Sequence, residues 1–261
     1  MKKQPIKPKK SARLPIKGLM NKTGLFTQKQ FNNLCSKTDK INKQLIYLHK
    51  KMKADVALLI KMINKISHLE LKREILHILI GIIALFLIIY NIISPLIIFI
   101  ILSIGIFVSL LSLKIRIPLI SWFLDNFERN KDKNKLPGRG IIFAVTGSLL
   151  ALQLFEINIA LASIIILTFA DPISHLVGKV FGKTKSPFNK TKNIEGHIAG
   201  AIISSIMAMF FVSPILALAG ALTSMIFESV IIEIQKIQLD DNLKIPLTAG
   251  TTMFLIVRFL I

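Results

Sequence analysis

Ionisable side chains set in apolar sequence are costly unless they find partners, so they mark where this chain's chemistry is to be sought. Asp171 ends the apolar run ASIIILTFA and opens DPISHLVGKVFGK. On a helix, Asp171, Ser174, His175 and Gly178 lie three, four and seven residues apart and share one face. Lys179, Gly182 and Lys183 follow, then Lys190, Lys192 and the tripeptide Ile194-Glu195-Gly196. An acid at a membrane surface followed by a loop of glycines and lysines suits magnesium and phosphate. The carboxylate takes the metal, glycines let the backbone approach phosphate oxygens, and lysines supply positive charge. No P-loop or soluble nucleotide fingerprint is present. On spacing alone, a helix-end aspartate before an ordinary basic loop is an equal reading.

Two further clusters reach the same side. Arg73 and His77 stand four residues apart at the start of an apolar run, so both can face inward. A lone histidine there is more often an interface residue than a base. Glu228 is expected about seven residues inside the end of a later apolar run, roughly 10 Å of helix at 1.5 Å per residue. A glutamate is too short to reach water from that depth, so a partner in the bundle is expected. Gln235 and the acidic turn Asp240-Asp241-Asn242 follow, before Pro246. A solvated turn offsetting nearby lysines is the simpler account of Asp240 and Asp241. It weakens when three separated acidic positions meet one lysine-rich loop.

The elements that must position these groups are written in the hydropathy. The chain has 261 residues, of which 52% are hydrophobic, yet its net charge is +20. Apolar runs of roughly 15 to 20 residues follow one another, the length that carries a helix across about 30 Å of hydrocarbon. No strand-like alternation argues for a β-barrel. Spans are expected near 75–92, 95–113, 139–155, 157–177, 196–213, 215–235 and 246–261, an all-α polytopic transmembrane bundle of about seven spans. Ser94-Pro95 and Ser213-Pro214 separate neighbouring spans. The apolar stretch 117–124, with Trp122, is too short to cross and is expected at the interface. Residues 1–40, rich in lysine and carrying Pro5, Pro8 and Pro15, read as a disordered basic tail. From 41 to 72, Leu45, Leu48, Met52, Val56, Leu59, Ile63 and Ile66 recur at helical spacing. That amphipathic helix is expected to pack on the membrane domain of 73–261, to pair with its own copy in a homo-oligomer, or to lie on a membrane surface.

Segments 114–139, 179–192 and 236–244 carry Lys or Arg, whereas the turns near 94, 156 and 214 carry none. Alternating the loops across a bilayer places every basic loop on one side, the cytoplasmic side by the positive-inside rule, with the carboxyl end opposite. Lysines beside apolar spans point to anionic lipid rather than nucleic acid. The single cysteine, Cys35, excludes an internal disulfide and any multi-cysteine metal site.

Five segments, in order, resemble the CTP-dependent lipid-alcohol kinases, the family of dolichol kinase, phytol kinase and CTP-dependent diacylglycerol kinase. They are ELKREILHILIG at 70–81, LPGRGIIFAVTG at 136–147, DPISHLVGKVFGK at 171–183, KTKNIEGHIAG at 190–200 and FESVIIEIQKIQLDDNLKIPL at 227–247. The resemblance covers most of 70–250. It implies a polytopic enzyme whose cytoplasmic loops bind CTP and Mg2+ and phosphorylate the hydroxyl of a polyprenol, another isoprenoid alcohol or a diacylglycerol. Its membrane would be the plasma membrane of a prokaryote or the endoplasmic reticulum of a eukaryote. The chain departs from the family pattern at Ser174 and His175, where small residues are usual. It departs again at Asn193 and His197, where Ser or Thr commonly flank the Glu-Gly pair.

On this resemblance Asp171, Glu195 and Lys192 are the expected catalytic residues, with Asp171, Glu195 and Asp241 as metal ligands. Arg139, Gly178, Lys179, Gly182, Lys183, Gly196, Asp241 and Asn242 would bind the nucleotide, and Arg73, His77 and Glu228 would line the lipid cavity. A CTP:phosphatidate cytidylyltransferase is the nearest alternative, although its histidine-glycine run and paired aspartates have no counterpart after PGRG. A non-catalytic scaffold or insertase working through 41–72 is the alternative of another class.

Overall fold

The structure is a computed structural model that describes residues 28–63, 66–128, 136–231, 233–234 and 237–259. Two compact units divide the chain, Met1–Ile60 and Lys61–Ile261. The first contains most of helix α1 (Gln28–Ile63). Its apolar stripe, including Leu34, Ile41, Leu45, Leu48, Met52 and Val56, is exposed. The prolines that argued for a tail all fall in 1–27, outside the described residues. Residues 28–40 contain neither Pro nor Gly and are helical, which corrects the expected disordered boundary at 40. Because the units are separate, a chain beginning at Lys61 is expected to keep the wild-type thermal transition of its second unit in detergent. Loss of that transition would show that α1 holds the rest together.

Among its described residues the second unit is mainly helical, with a minimal antiparallel pairing of Glu233 with Gln238 and Ile234 with Ile237 and a single antiparallel bridge between Lys185 and Asn193. Its helices are α2 (His68–Ile89), α3 (Pro95–Ser112), α4 (Pro118–Phe127), α5 (Arg139–Leu154), α6 (Ile157–Phe181), α7 (Ile194–Ala208), α8 (Pro214–Ser229) and α9 (Asp241–Phe259). Their starts follow local rules. Ser67 and Glu70 form a reciprocal capping box that opens α2, so 68–72 belong to this helix and not to α1. Ser94 caps α3 ahead of Pro95, and Pro214 opens α8, each a proline whose missing N–H costs nothing in a first turn. Gly138 has φ +75°, a backbone that side chains resist, and it swings the chain into α5 with Arg139 as the first residue.

Helices α3 and α6 are long and apolar enough to cross a membrane; α5, α7 and α8 are shorter apolar helices. The two long helices differ in burial. In its most apolar window α6 is 78% buried, against 11% for α3. Helix α6 is therefore the central post, and α2, α5, α7, α8 and α9 all pack against it. Helices α2 and α6 run antiparallel, as three pairings along them show. Glu70 meets Lys179, Glu74 meets His175, and Gly81 lies against Thr168.

Two expected boundaries move. Helix α8 stops at Ser229, and the β-branched Val230 adopts extended backbone ahead of the strand pairing. Glu228 therefore sits in the last turn of α8, not two turns inside it. Helix α9 begins five residues before Pro246, which places Asp241 and Asn242 in its first turn rather than in a loop.

Candidate functional site

Six helices meet at one polar cluster: the N-terminal parts of α2, α5, α7 and α9, the last turn of α8 and the body of α6 around Pro172. Asp171 comes from α6, one residue before Pro172, whose ring removes the hydrogen bond that the Thr168 carbonyl would otherwise accept. Glu228 comes from the end of α8 and is 1% exposed; Asp241 comes from the first turn of α9. Oxygen atoms of these three carboxylates lie within 4.8 Å of one another.

Two lysines hold the cluster. Lys192 Nζ donates to Glu228 Oε1 and to Asp241 Oδ2, each at 2.6 Å, and to the Glu228 carbonyl at 3.1 Å. Lys244, one turn into α9 and 3% exposed, reaches Asp241 Oδ1 at 2.7 Å and the Val230 carbonyl at 2.9 Å. Both oxygens of Asp241 are thus paired. Burial works to lower the Lys192 pKa, but Glu228 and Asp241 outweigh it and hold the ammonium above its ordinary value. The Ser174 hydroxyl lies 3.2 Å from Glu228 Oε1 and 3.0 Å from the Asp171 carbonyl. Asp171 Oδ1 is different, being buried with no hydrogen-bond partner among the described residues. An all-oxygen set with one open, desolvated carboxylate oxygen fits a hard divalent cation such as Mg2+, with the two lysines offsetting surplus negative charge.

Beside this set lies a second one. His175 Nδ1 is 3.4 Å from Glu74 Oε1 and 3.8 Å from Asp171 Oδ1, and Arg73 bonds the same Glu74 oxygen at 2.5 Å. His197 Nε2 lies 3.8 Å from Glu228 Oε2. Arg139 donates to Asp240 Oδ2 at 3.0 Å and sits over the Phe143 ring. Burial, reinforced by Asp241 and Asp171, raises the Asp240 pKa above the usual aspartate value despite Arg139. Asn242 donates to the Gly140 carbonyl at 3.1 Å, which ties α9 to α5.

The loop between α6 and α7 is folded on itself, and that fold aims Lys192 back at the cluster. Ser186 N–H bonds the Lys192 carbonyl and Ile194 N–H bonds the Thr184 carbonyl, each at 3.0 Å. Asn189 closes the tip by accepting from the Thr191 backbone and hydroxyl. Asn193 donates to the Gly178 carbonyl at 2.7 Å, which also accepts from the Gly182 N–H at 3.0 Å.

Several expected site residues are therefore brought together: Asp171, Lys192, Glu228, Asp241, Asn242 and Arg139. Arg73, His77, Gly178, Lys179 and Gly182 line the same cavity. Three are not in it. Glu195 accepts from the Lys183 and Thr184 backbone at 3.1 and 2.9 Å and staples the loop, away from the other carboxylates. The Lys183 side chain is exposed and does not line the cavity. Gly196 is a packing residue, since a Cβ there would stand 2.3 Å from the Ser174 carbonyl and 2.9 Å from Gly178 Cα. Gly196→Val is accordingly expected to destabilise the fold by about 1–3 kcal/mol, the usual cost of overpacking. A wild-type melting temperature for that variant would contradict the packing role.

Two participants, Glu74 and Lys244, are not singled out by the sequence, and Ser174, His175, His197 and Asp240 are named there without a site role. Glu74 had a signal, being an acid within the apolar-faced ELKREILH. Lys244 stands three residues after Asp241, the spacing of an ion pair on a helix.

The cavity, about 1080 Å³, extends from this cluster between apolar walls. Its floor is α6, its sides are α2 and α5, and Ile98, Ile101, Phe123 and Phe127 of α3 and α4 complete it. No family model, no curated protein and no solved structure matches the chain.

Proposed function

We propose that the chain is a membrane-embedded kinase that transfers the γ-phosphate of CTP to the hydroxyl of a lipid alcohol. The observation that carries this reading is one cavity with a charged floor of carboxylates and lysines at one end and aliphatic walls at the other. That pairing suits a reaction between a polyanion from water and a hydroxyl on an apolar chain. The resemblance of 70–250 to CTP-dependent lipid-alcohol kinases supplies the nucleotide and the reaction type.

Phosphoryl transfer demands chiefly positioning and charge neutralisation. A divalent cation held by Asp171, Glu228 and Asp241 would neutralise phosphate charge. Lys192 holds two of those carboxylates in place, and Lys179 and Arg139 bring positive charge to the same cavity. Arg73 and His77 stand where charged and apolar walls meet, the level at which an acceptor hydroxyl would arrive.

In this reading α2, α3, α5, α6, α7, α8 and α9 cross the bilayer, with the cluster on the cytoplasmic side. Exposed Phe86 on α2 and Phe99, Ile104 and Phe107 on α3 would face lipid, which accounts for so much uncovered apolar surface. The exposed stripe of α1 would pair two copies of the chain. In a Cys35→Ser background, a cysteine at Lys185 is expected to react with an impermeant reagent only from the cytoplasmic side. One appended after Ile261 should react only from outside, and labelling of both from one side would remove the seven-crossing arrangement. The activity is tested by purified protein in detergent, given γ-phosphate-labelled CTP or ATP, Mg2+ and a panel of lipid alcohols. Label is expected in the lipid with CTP; no transfer from either nucleotide would overturn the reading.

A further inference from the structure

Glu74, Asp171 and His175 offer a second set of ligand-type atoms within 4.8 Å of one another, and all three residues line the cavity. Unlike the set of Asp171, Glu228 and Asp241, this one contains an imidazole. Asp171 and His175 lie four residues apart on one face of α6, the spacing at which two helical side chains can share one metal ion. The antiparallel α2 brings Glu74 against them as the third donor.

The spacing within the set is that of atoms around an ion. His175 Nδ1 stands 3.4 Å from Glu74 Oε1 and 3.8 Å from Asp171 Oδ1. Yet His175 Nδ1 and Asp171 Oδ1 are both buried atoms with no hydrogen-bond partner among the described residues, and Asp171 as a whole is 7% exposed. Donor atoms bound to a tetrahedral Zn2+ stand about 3.4 Å from one another, so a small contraction would seat the ion. Glu74 is 2% exposed and is fixed by Arg73, which donates to its Oε1 at 2.5 Å. Ligating carboxylates are ordinarily held by such outer bonds.

The donors also separate the two sets chemically. Carboxylates alone suit Mg2+, whereas an imidazole nitrogen with carboxylate oxygens suits an ion such as Zn2+. A carboxylate has two oxygens, so Asp171 can serve an ion in each set. Three protein donors leave a fourth position open.

We propose that Glu74, Asp171 and His175 bind a second divalent ion, of the zinc class, beside the magnesium set and with a coordination position open to the cavity. The inference needs neither nucleotide nor phosphate transfer, so it stands or falls separately from the kinase reading.

The test uses the full chain in detergent, stripped with a chelator and then given Zn2+ in millimolar Mg2+ without nucleotide. One Zn2+ per chain is expected to survive dialysis against that Mg2+. X-ray absorption at the zinc edge should show one imidazole, with oxygen as the remaining donors. His175→Ala and, independently, Glu74→Gln should each weaken Zn2+ binding at least tenfold, while His68→Ala, outside the set, should leave it unchanged. Failure to retain zinc, a spectrum without imidazole or with several, or unchanged affinity in either folded variant would overturn the proposal and leave Glu74 and His175 as an ion pair. The spectrum of the wild-type protein decides the matter even if both variants fail to fold. Zinc held by one imidazole, without transfer from CTP or ATP to any lipid alcohol, would sustain this site and remove the kinase reading.

Discussion

Asp171→Asn is expected to lower kcat by roughly 10²–10³, the scale of removing one electrostatic contact made to the transition state. The substitution keeps the shape of the side chain and its place before Pro172, while removing the charge of the cluster carboxylate whose buried Oδ1 accepts no hydrogen bond and faces only His175 Nδ1, 3.8 Å away. Because that oxygen accepts no hydrogen bond and loses only the 3.8 Å ion pair to His175, the melting temperature should fall less than in Glu228→Gln, which separates the chemical effect from a folding defect. Glu228→Gln is a useful contrast. Its carboxylate is bonded to Lys192, so both stability and activity should fall. A well-folded Asp171→Asn enzyme working at the wild-type rate would remove Asp171 from the reaction.

The second large effect is expected at Lys192. Lys192→Met leaves Glu228 and Asp241 facing each other without the ammonium that now bonds both. Breaking a buried pair from one side costs about 3–5 kcal/mol, since the charge left behind stays desolvated. The double variant Lys192→Met with Glu228→Gln should recover part of that loss, and the difference measures the coupling directly. The raised Lys192 pKa fixes the sign of any pH effect. Its contribution is fully present below the unfolded lysine value and is lost as pH rises through the higher folded value. Lys192 should therefore leave stability flat through neutral pH. Equal stability of the single variant and the wild type in chemical denaturation would show that the ion pairs contribute nothing net.

Much of this was legible before any coordinates, for identifiable reasons. Ser94-Pro95 and Ser213-Pro214 each set a proline suited to a first turn at a break between apolar runs, so two helix starts are read closely. Asp171, Lys192, Glu228 and Asp241 stand out because ionisable groups beside long apolar runs need partners; Lys192 joins Glu228 and Asp241, and Asp171 lies beside them facing His175. Errors arose where hydropathy is blind to backbone. Val230-Ile231 is as apolar as the helix before it, so the end of α8 was placed too late. Pro246 was taken as the boundary of a helix that starts at Asp241. Residues 28–40 were judged by polarity, although their helical state depends on propensity. Glu195 and Lys183 were assigned by nearness in sequence to the glycine-lysine loop. Folding turns Glu195 onto that loop's backbone and leaves the Lys183 side chain outside. Glu74 and Lys244 enter the cluster through contacts between helices, which no single segment displays.

The central claim is that this cluster moves a terminal phosphate to a lipid hydroxyl. Its most direct test follows both ends of the nucleotide at once. CTP labelled with different isotopes in its α- and γ-phosphates is given to the purified protein in detergent with geranylgeraniol, phosphatidate and Mg2+. γ-Label is expected in a phosphorylated alcohol, with α-label retained in CDP. Appearance of α-label in a CDP-lipid with γ-label in pyrophosphate would contradict it and make the protein a cytidylyltransferase.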